Sequence, residues 1–309
     1  RIVPKLAEVL VDLHNIKDFD PNFNQNVKPC MENLLENMKT ALEMASKPLN
    51  PEDRTGAFCV SLGKDGLNKI AEAVIANYHK RDCLVHSDSH VFNVSVEAKP
   101  SIDNMESFGP DGSMVLCDWE MAFAGPIGKN IGLALAFPIG CMITHAINGH
   151  SDTSKSLHSY IDDLWDCCSS RLMEAGKTSD EIAVIQKNIV GWCGCFQFLA
   201  FYCIGCQREF FPVDNEEMRK NVHDALGVLG LKMMRFSFNA AFGADYKSSE
   251  TIKTFFKSLY NDEMKRACSL YETSIKRMKP RKSSLLRASN RRFSDARMNF
   301  LTDLSLLDL

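Results

Sequence analysis

The chain has 309 residues, of which 45% are hydrophobic and 24% charged, and this composition excludes a disordered, collagen-like or coiled-coil protein. The formal net charge is −3, so nothing in the overall charge indicates nucleic-acid binding. The first residue is Arg1 rather than Met, and the first ten residues already have the pattern of the middle of an amphipathic helix. We therefore expect a further segment before Arg1.

The N-terminal quarter of the chain is predicted to be helical. Apolar residues recur at helical spacing over 4–15 and again over 29–45, which predicts two amphipathic helices. The segment 47–56 contains prolines and a glycine and is predicted to be a connector. Residues 66–79 are the next helix candidate.

The pattern changes after residue 82, where short apolar runs alternate with polar segments. We predict strands at 83–86, 94–97 and 114–117, and a polar loop at 100–112. The stretch DWEMAFAGPIGKNIG, which begins at Asp118, is interpreted as a loop, and the chain reads as helical from Ile131 to about Lys276. The predicted fold class is α+β, mainly α, with a small β element that carries polar loops.

Several of the 12 cysteines lie in apolar runs, where a free cysteine behaves as a small buried hydrophobe. These are Cys141, Cys193, Cys195, Cys203 and Cys206. A structural zinc site needs C-x2-C pairs in turns, and the C-x-C spacing at 193–195 does not fit one. We expect reduced cysteines and a cytoplasmic protein.

The apolar run from Ile189 to Cys206 is just long enough to span a membrane. It is interrupted by Gln197 and contains glycines and cysteines, which favours the central helix of a large domain. We therefore predict no membrane association.

The C-terminal segment 276–309 differs in composition from the rest. Nine basic residues between positions 276 and 297 face a single acidic one, Asp295. This predicts a flexible basic tail after a folded domain at 1–275. The sequences RKSS and RRFS resemble targets of basophilic kinases, so Ser284 and Ser294 are candidate phosphorylation sites; a simple solvated tail is the alternative.

The motif that carries chemistry is HSDSHVFN at 86–93, which has the spacing H-x-D-x4-N of a kinase-type catalytic loop. In such a loop the aspartate, here Asp88, orients an acceptor hydroxyl and takes its proton. The asparagine, here Asn93, brings an amide oxygen to Mg²⁺. His86 is predicted to be a structural hydrogen-bonding residue, and His90 a loop residue that contacts substrate.

A second polar motif follows the predicted strand at 114–117. The triplet Asp118-Trp119-Glu120 places an aspartate directly after an apolar strand, as a metal-binding DFG-type site requires. Glu120 adds a second carboxylate, and Mg²⁺ is typically held by one or two carboxylates together with nucleotide phosphates. The alternative is that Asp118 only forms the turn.

Together these motifs resemble the aminoglycoside/choline phosphotransferase superfamily, which shares the protein-kinase fold. The S-methyl-5-thioribose kinase family is the most similar group within it. HSDSHVFN and DWEMAFAGPIGKNIG are similar to the family patterns HGDLHTGS and DPEFAFYGPMGFDIG, and AINGH at 146–150 is similar to its QDGH-like helix end. LGLKMMRFSFNAAFGAD at 229–245 is similar to a later family helix. The resemblance covers about residues 4–260.

The resemblance implies a kinase-like C-terminal lobe that transfers phosphate from ATP, with Mg²⁺, to the 1-hydroxyl of 5-methylthioribose in methionine salvage. Asp88 would be catalytic, and Asn93, Asp118 and Glu120 would hold the metal. Arg235 would face the substrate, together with His90. The glycine-rich loop and strand lysine of a nucleotide-binding lobe are not found before Asp88. The expected partners are therefore ATP and a small molecule, with no nucleic acid or membrane; the oligomeric state is not predicted.

Four positions depart from the family pattern. Ser87 and Ser89 replace the glycine before and the leucine after the catalytic aspartate. Asn130 replaces an aspartate that braces the catalytic loop, and Phe236 replaces a second substrate-facing arginine. Two alternatives therefore stay open. The protein is a kinase of another small hydroxyl compound, such as choline or an amino sugar, or it is a catalytically inactive kinase-like binding protein.

Overall fold

The computed structural model describes residues 2–16, 18–24, 53–96, 114–203, 216–239 and 245–277, with isolated positions between them. Within these residues the protein is mainly helical with two small two-stranded sheets, so the predicted α+β, mainly α class is confirmed. The predicted loop at 100–112, Cys206, and the tail beyond Arg277 with Ser284 and Ser294 lie outside the described residues. The helix predicted at 29–45 is described only at positions 38, 40, 42 and 43, where it is helical.

The described helices follow the predicted apolar periodicity. They are α1 (Ile2–Asn15), α2 (Arg54–Tyr78), α3 (Lys129–Ile147), α4 (Ser151–Glu174), α5 (Ser179–Phe196), α6 (Glu216–Phe238) and α7 (Ser249–Arg277). A π-helical turn, Gln197–Cys203, continues α5. The predicted helices at 4–15 and 66–79 and the helical region after Ile131 are confirmed.

The start of α2 corrects the predicted connector at 47–56 for residues 54–56, which are helical; residues 47–52 lie outside the described residues. The Asp53 carboxylate accepts hydrogen bonds from the backbone N–H groups of Thr55 (3.1 Å) and Gly56 (3.3 Å). This N-cap starts the helix at Arg54, because it satisfies two of the amide groups that have no partner within the helix. Gly63, with a φ of 67°, then kinks the helix before its second half.

Four three-residue strands form two separate antiparallel sheets. β1 (Cys83–Val85) pairs with β4 (Phe123–Gly125), and β2 (Val94–Val96) pairs with β3 (Met114–Leu116). The three predicted strands are confirmed. β4 lies in the stretch after Asp118 that was predicted to be a loop, so that prediction is wrong for this part.

Helix α3 lies at the centre of the helical core. Every residue from Lys129 to Gly140 is buried, and α3 packs against α1, α4, α5, α6 and α7. A helix that is apolar on all sides is expected to be surrounded by other helices. The helical core therefore holds the segment at the N-terminus of α3 in a fixed position next to β1 and β4.

Helices α5 and α6 approach closely where two glycines face each other. A Cβ atom on Gly194 would lie 2.7 Å from the carbonyl oxygen of Gly230, and a Cβ on Gly230 would lie 2.7 Å from that of Gly194. Both distances are below van der Waals contact, so only residues without a side chain permit this approach.

Two of the described helical segments are long and apolar enough to cross a membrane. They are Lys129–Ile147 and Ser179–Cys203, and 89% and 83% of their apolar windows are buried inside the protein. Core helices of soluble proteins pass the same test of length and composition, so this observation is weak evidence in either direction.

Candidate active site

Two polar segments lie side by side because of the way the four strands pair. One segment, 86–93, connects β1 to β2, and the other, 117–122, connects β3 to β4. Val85 is paired with Phe123 and Val94 with Leu116, so both ends of one segment adjoin the ends of the other. The sequence-predicted residues Asp88, Asn93, Asp118 and Glu120 all lie in these two segments.

His86 joins the two segments directly. Its Nε2 lies 2.7 Å from the carbonyl oxygen of Cys117, and the backbone N–H of Asp88 donates to its Nδ1 at 3.3 Å. A carbonyl can only accept, so the ring carries its proton on Nε2. Burial lowers the pKa of His86 despite the nearby carboxylates of Asp88 and Asp118. The residue is therefore a neutral connector, in agreement with the structural role predicted for it.

The Asp88 carboxylate is held from two sides. The Asn93 side-chain amide donates to Asp88 Oδ2 and to the Asp88 carbonyl oxygen, both at 2.9 Å, and His90 Nε2 lies 3.3 Å from Oδ2. Burial alone raises the pKa of Asp88, but His90, Asn93 and the positive charge of Lys129 outweigh it and hold the pKa below its ordinary value. Asp88 is therefore an oriented, ionised carboxylate near neutral pH, as a general base requires.

In the structure His90 contacts Asp88, a contact that the sequence did not indicate. Its Nδ1 accepts a hydrogen bond from the backbone N–H of Phe92 at 3.2 Å, so its Nε2 is the nitrogen that donates to Asp88. The ring also packs against Phe92 and Phe137, with centroid distances of 5.7 and 5.2 Å. His90 thus orients Asp88, while its contact with substrate stays a prediction.

Asn130 braces the loop in the place where the resembled family has an aspartate. Its Oδ1 accepts hydrogen bonds from the backbone N–H groups of His86 (3.0 Å) and Ser87 (3.4 Å). Ser89 Oγ donates to the Asn130 carbonyl oxygen at 2.8 Å. An amide oxygen thus makes the contacts that a carboxylate oxygen would make, and the loop is tied to the first turn of α3.

Asp118 and Glu120 lie on the second segment with exposed side chains. Asp118 has a left-handed backbone conformation (φ 65°) and precedes the short 3-10 turn Trp119–Met121, which it does not cap through its side chain. The Trp119 indole donates to the Leu116 carbonyl oxygen at 2.6 Å and packs edge-on against His86, with ring centroids 4.6 Å apart. These contacts fix the turn that presents the two carboxylates.

The residues at the junction of the two segments fit a Mg²⁺ ion bound together with phosphates. Within the described part of the chain, no three His, Cys, Asp or Glu side chains form a ready-made metal cluster. Mg²⁺ in nucleotide sites, however, takes only one or two carboxylates and fills its shell with phosphate oxygens and water. Because Asn93 donates to Asp88 through its amide nitrogen, its amide oxygen is not used in that contact, and its role as a metal ligand stays a prediction.

Arg235 lies in the last turn of α6 and is partly buried, and its role toward a substrate stays a prediction. The neighbouring Phe236 is fully buried and stacks on Phe255, with ring centroids 4.3 Å apart. The residue that replaces a substrate-facing arginine in the family pattern is thus part of the aromatic core. It is not available to a polar ligand.

Lys129 was missed by the sequence reasoning, and Ser87 was noted only as a departure from the family glycine. Ser87 has a left-handed backbone conformation (φ 73°), and the Lys129 ammonium group donates to its Oγ at 2.5 Å and to its carbonyl oxygen at 3.3 Å. The signal for Lys129 was its position as the single charged side chain in the apolar stretch from Ala122 to Phe137.

The cysteines of the described region show no metal-binding arrangement. Cys193 and Cys195 are buried free thiols in α5, as predicted, and burial raises the pKa of both. Cys141 is partly buried, and burial raises its pKa to about 11. Cys203 is exposed at the end of the π-helical turn, so the expectation of burial is wrong for this residue.

The chain was compared with protein families and with curated proteins. No protein-family model matches the chain, and a search of curated proteins finds no match.

Proposed function

We propose that this chain is the helical lobe of an ATP-dependent phosphotransferase that acts on a hydroxyl group of a small molecule. The observation that carries the proposal is the state of Asp88, an ionised carboxylate oriented by Asn93 and His90. It lies in a segment that His86 joins to the segment of Asp118. Phosphoryl transfer needs mainly positioned charges of this kind, because the protein has little covalent chemistry to perform.

In this proposal Asp88 accepts a hydrogen bond from the acceptor hydroxyl and takes its proton as the new oxygen–phosphorus bond forms, while the bond between the γ-phosphorus and the β–γ bridging oxygen of ATP breaks and ADP leaves. The hydrogen bonds from Asn93 and His90 restrict the rotation of the carboxylate, so one oxygen stays directed at the acceptor. Asn93, Asp118 and Glu120 would hold Mg²⁺. Bound Mg²⁺ neutralises the charge of the ATP phosphates during the transfer.

The resemblance makes 5-methylthioribose the first acceptor to test, with Arg235 as the side chain that binds it through a planar set of donors. The burial of Phe236 removes one polar contact that the family uses. This observation supports the two alternatives, namely a different acceptor such as choline or an amino sugar, or a protein that binds ligands without turnover.

The test is an ATP-turnover assay on the full-length protein with 5-methylthioribose, choline and an amino sugar, combined with a measurement of Mg²⁺-dependent ATP binding. We expect turnover with one of the three acceptors. We also expect Asp88→Asn to lower kcat by about 10²–10⁴-fold, the usual contribution of a general base. ATP binding should be little affected, because Asp88 is not one of the proposed metal ligands.

The matched control is Asp152→Asn, which removes a fully exposed carboxylate on α4 and should leave kcat unchanged. Mg²⁺-dependent ATP binding without turnover of any acceptor would favour the inactive binding protein. Absence of both turnover and ATP binding would refute the phosphotransferase proposal.

A further inference from the structure

Lys129 is a fully buried cation at the first position of α3. Within the described part of the chain its ammonium group donates hydrogen bonds only to Ser87, at Oγ and at the carbonyl oxygen. The rings of Phe123, Trp192 and Phe196 surround the ammonium group, with centroids 5.5, 5.9 and 5.6 Å from Nζ. This is an unusual position for a lysine, because a buried charge is costly unless a nearby group compensates it.

The electrostatic surroundings of Lys129 show how poorly its charge is compensated. Burial lowers its pKa from 10.5 to about 7, although the negative charge of Asp88 opposes this shift. A methionine would fill the same volume among the three rings without this desolvation penalty. Packing therefore does not explain why a lysine is present here.

The backbone of Ser87 explains why a lysine occupies position 129. Ser87 adopts a conformation that serine rarely adopts. Its φ of 73° is in the left-handed region, which glycine adopts readily and a residue with a Cβ atom does not. Lys129 binds both the side chain and the carbonyl oxygen of Ser87 and so fixes the peptide group that leads into Asp88. The backbone N–H of Asp88 then donates to His86 Nδ1.

We propose that Lys129 is a positioning residue for Asp88: its buried ammonium group holds Ser87 in the left-handed conformation that orients Asp88. The part of this inference that concerns catalysis rests on the proposed function. The part that concerns the conformation of the loop does not, so the two are tested by different measurements.

The test compares Lys129→Met, Ser87→Gly and the double variant by NMR. In Lys129→Met we expect the Cα and Cβ shifts of residue 87 to leave the left-handed range, and the Asp88 amide to exchange about tenfold faster or more. Glycine adopts the left-handed conformation without assistance, so the double variant should restore slow exchange of the Asp88 amide. The control is Lys187→Met, which removes another lysine-to-carbonyl hydrogen bond, from Lys187 to Gly243, and should leave the Asp88 amide unchanged.

Unchanged shifts and unchanged exchange in Lys129→Met would overturn the proposal, as would a double variant that exchanges as fast as Lys129→Met. If the full-length protein turns over an acceptor, Lys129→Met should lower kcat with little change in KM, and Ser87→Gly should restore kcat. If the wild type has no turnover, the proposed function fails, while the exchange measurements still decide the role of Lys129.

Discussion

The His86 ring and the Cys117 carbonyl oxygen, 2.7 Å apart, connect the two segments that carry the proposed catalytic and metal-binding residues. The same ring accepts the Asp88 backbone N–H through its other nitrogen. One neutral side chain thus sets the position of Asp88 relative to the peptide that precedes Asp118. Both segments run between the same two sheets, and the backbone N–H of Cys117 also donates to the Asn93 carbonyl oxygen at 2.8 Å, so the His86 ring adds a side-chain link to a backbone one.

We predict that His86→Leu loosens the contact between the two segments, while the strand pairs at their ends remain. It leaves the Cys117 carbonyl and the Asp88 amide without partners, at a cost of about 1–3 kcal/mol for each group that stays buried. Urea unfolding should show this loss, and the amide resonances of both segments should shift. The control is His223→Leu, which removes a similar hydrogen bond from a histidine to the Tyr202 carbonyl oxygen (2.9 Å) far along the chain. If His223→Leu disturbs the two segments as much as His86→Leu does, His86 is not their specific connector.

The location of the site was predictable from the sequence because its residues follow short apolar runs. The strands before Asp88 and Asp118 were found from local pattern, and the motif spacing identified Asn93. β4 was not found, because a three-residue strand that ends in Gly125 and is followed by Pro126 has no clear local pattern. It exists through its pairing with β1, about 40 residues earlier.

The residues that hold the Asp88 loop in place were less predictable than the proposed catalytic and metal-binding residues. Lys129 and Ser87 are separated by 42 residues, and Asn130 reaches back to His86 across a similar distance. Nothing in a local pattern links such positions. The sequence showed only a lysine in an apolar stretch, and its meaning depends on the tertiary structure.

We predict that Gly230→Ala destabilises the protein by about 1–3 kcal/mol, the usual cost of overpacking. The new methyl group would lie 2.7 Å from the Gly194 carbonyl oxygen and from the Phe198 amide nitrogen, so α5 and α6 must move apart. Thermal unfolding measures the effect. Gly66→Ala is the matched control, since its methyl group meets only the Leu62 Cβ at 3.4 Å and should stabilise α2 by about 0.4–1 kcal/mol. Equal effects of the two substitutions would contradict the close-approach argument.

A buried ion pair connects the start of α2 to α7. The Arg54 guanidinium donates to both oxygens of the Glu263 carboxylate at 2.9 and 2.7 Å, and Lys232 Nζ lies 3.5 Å from the same carboxylate. Glu263 is only 2% exposed. Breaking a buried pair is costly because the remaining charges lose a partner, and Arg54 would keep only the Asp224 carboxylate, 3.8 Å away.

We therefore predict that Glu263→Gln destabilises the protein by about 3–5 kcal/mol, as measured by urea unfolding at neutral pH. The surface pair Arg171–Glu174, with a distance of 3.0 Å, provides the control. Its removal by Glu174→Gln should leave the stability almost unchanged, because water and salt screen exposed pairs. A small effect of Glu263→Gln would indicate that water reaches this pair in solution.

The last prediction concerns pH and His14 on α1, whose ring nitrogens are buried and have no hydrogen-bond partner among the described residues. Burial, with a smaller contribution from Lys177, lowers its pKa from 6.5 to about 4. As the pH falls from 6.5 toward 4, the unfolded chain binds a proton that the folded protein excludes, so stability decreases over this window. Two to three pKa units correspond to about 3 kcal/mol. His14→Leu should remove this part of the pH dependence and raise the stability at pH 5, whereas His79→Gln, at an exposed position, should not. Parallel pH profiles for His14→Leu and the wild type in chemical unfolding would show that His14 is solvated.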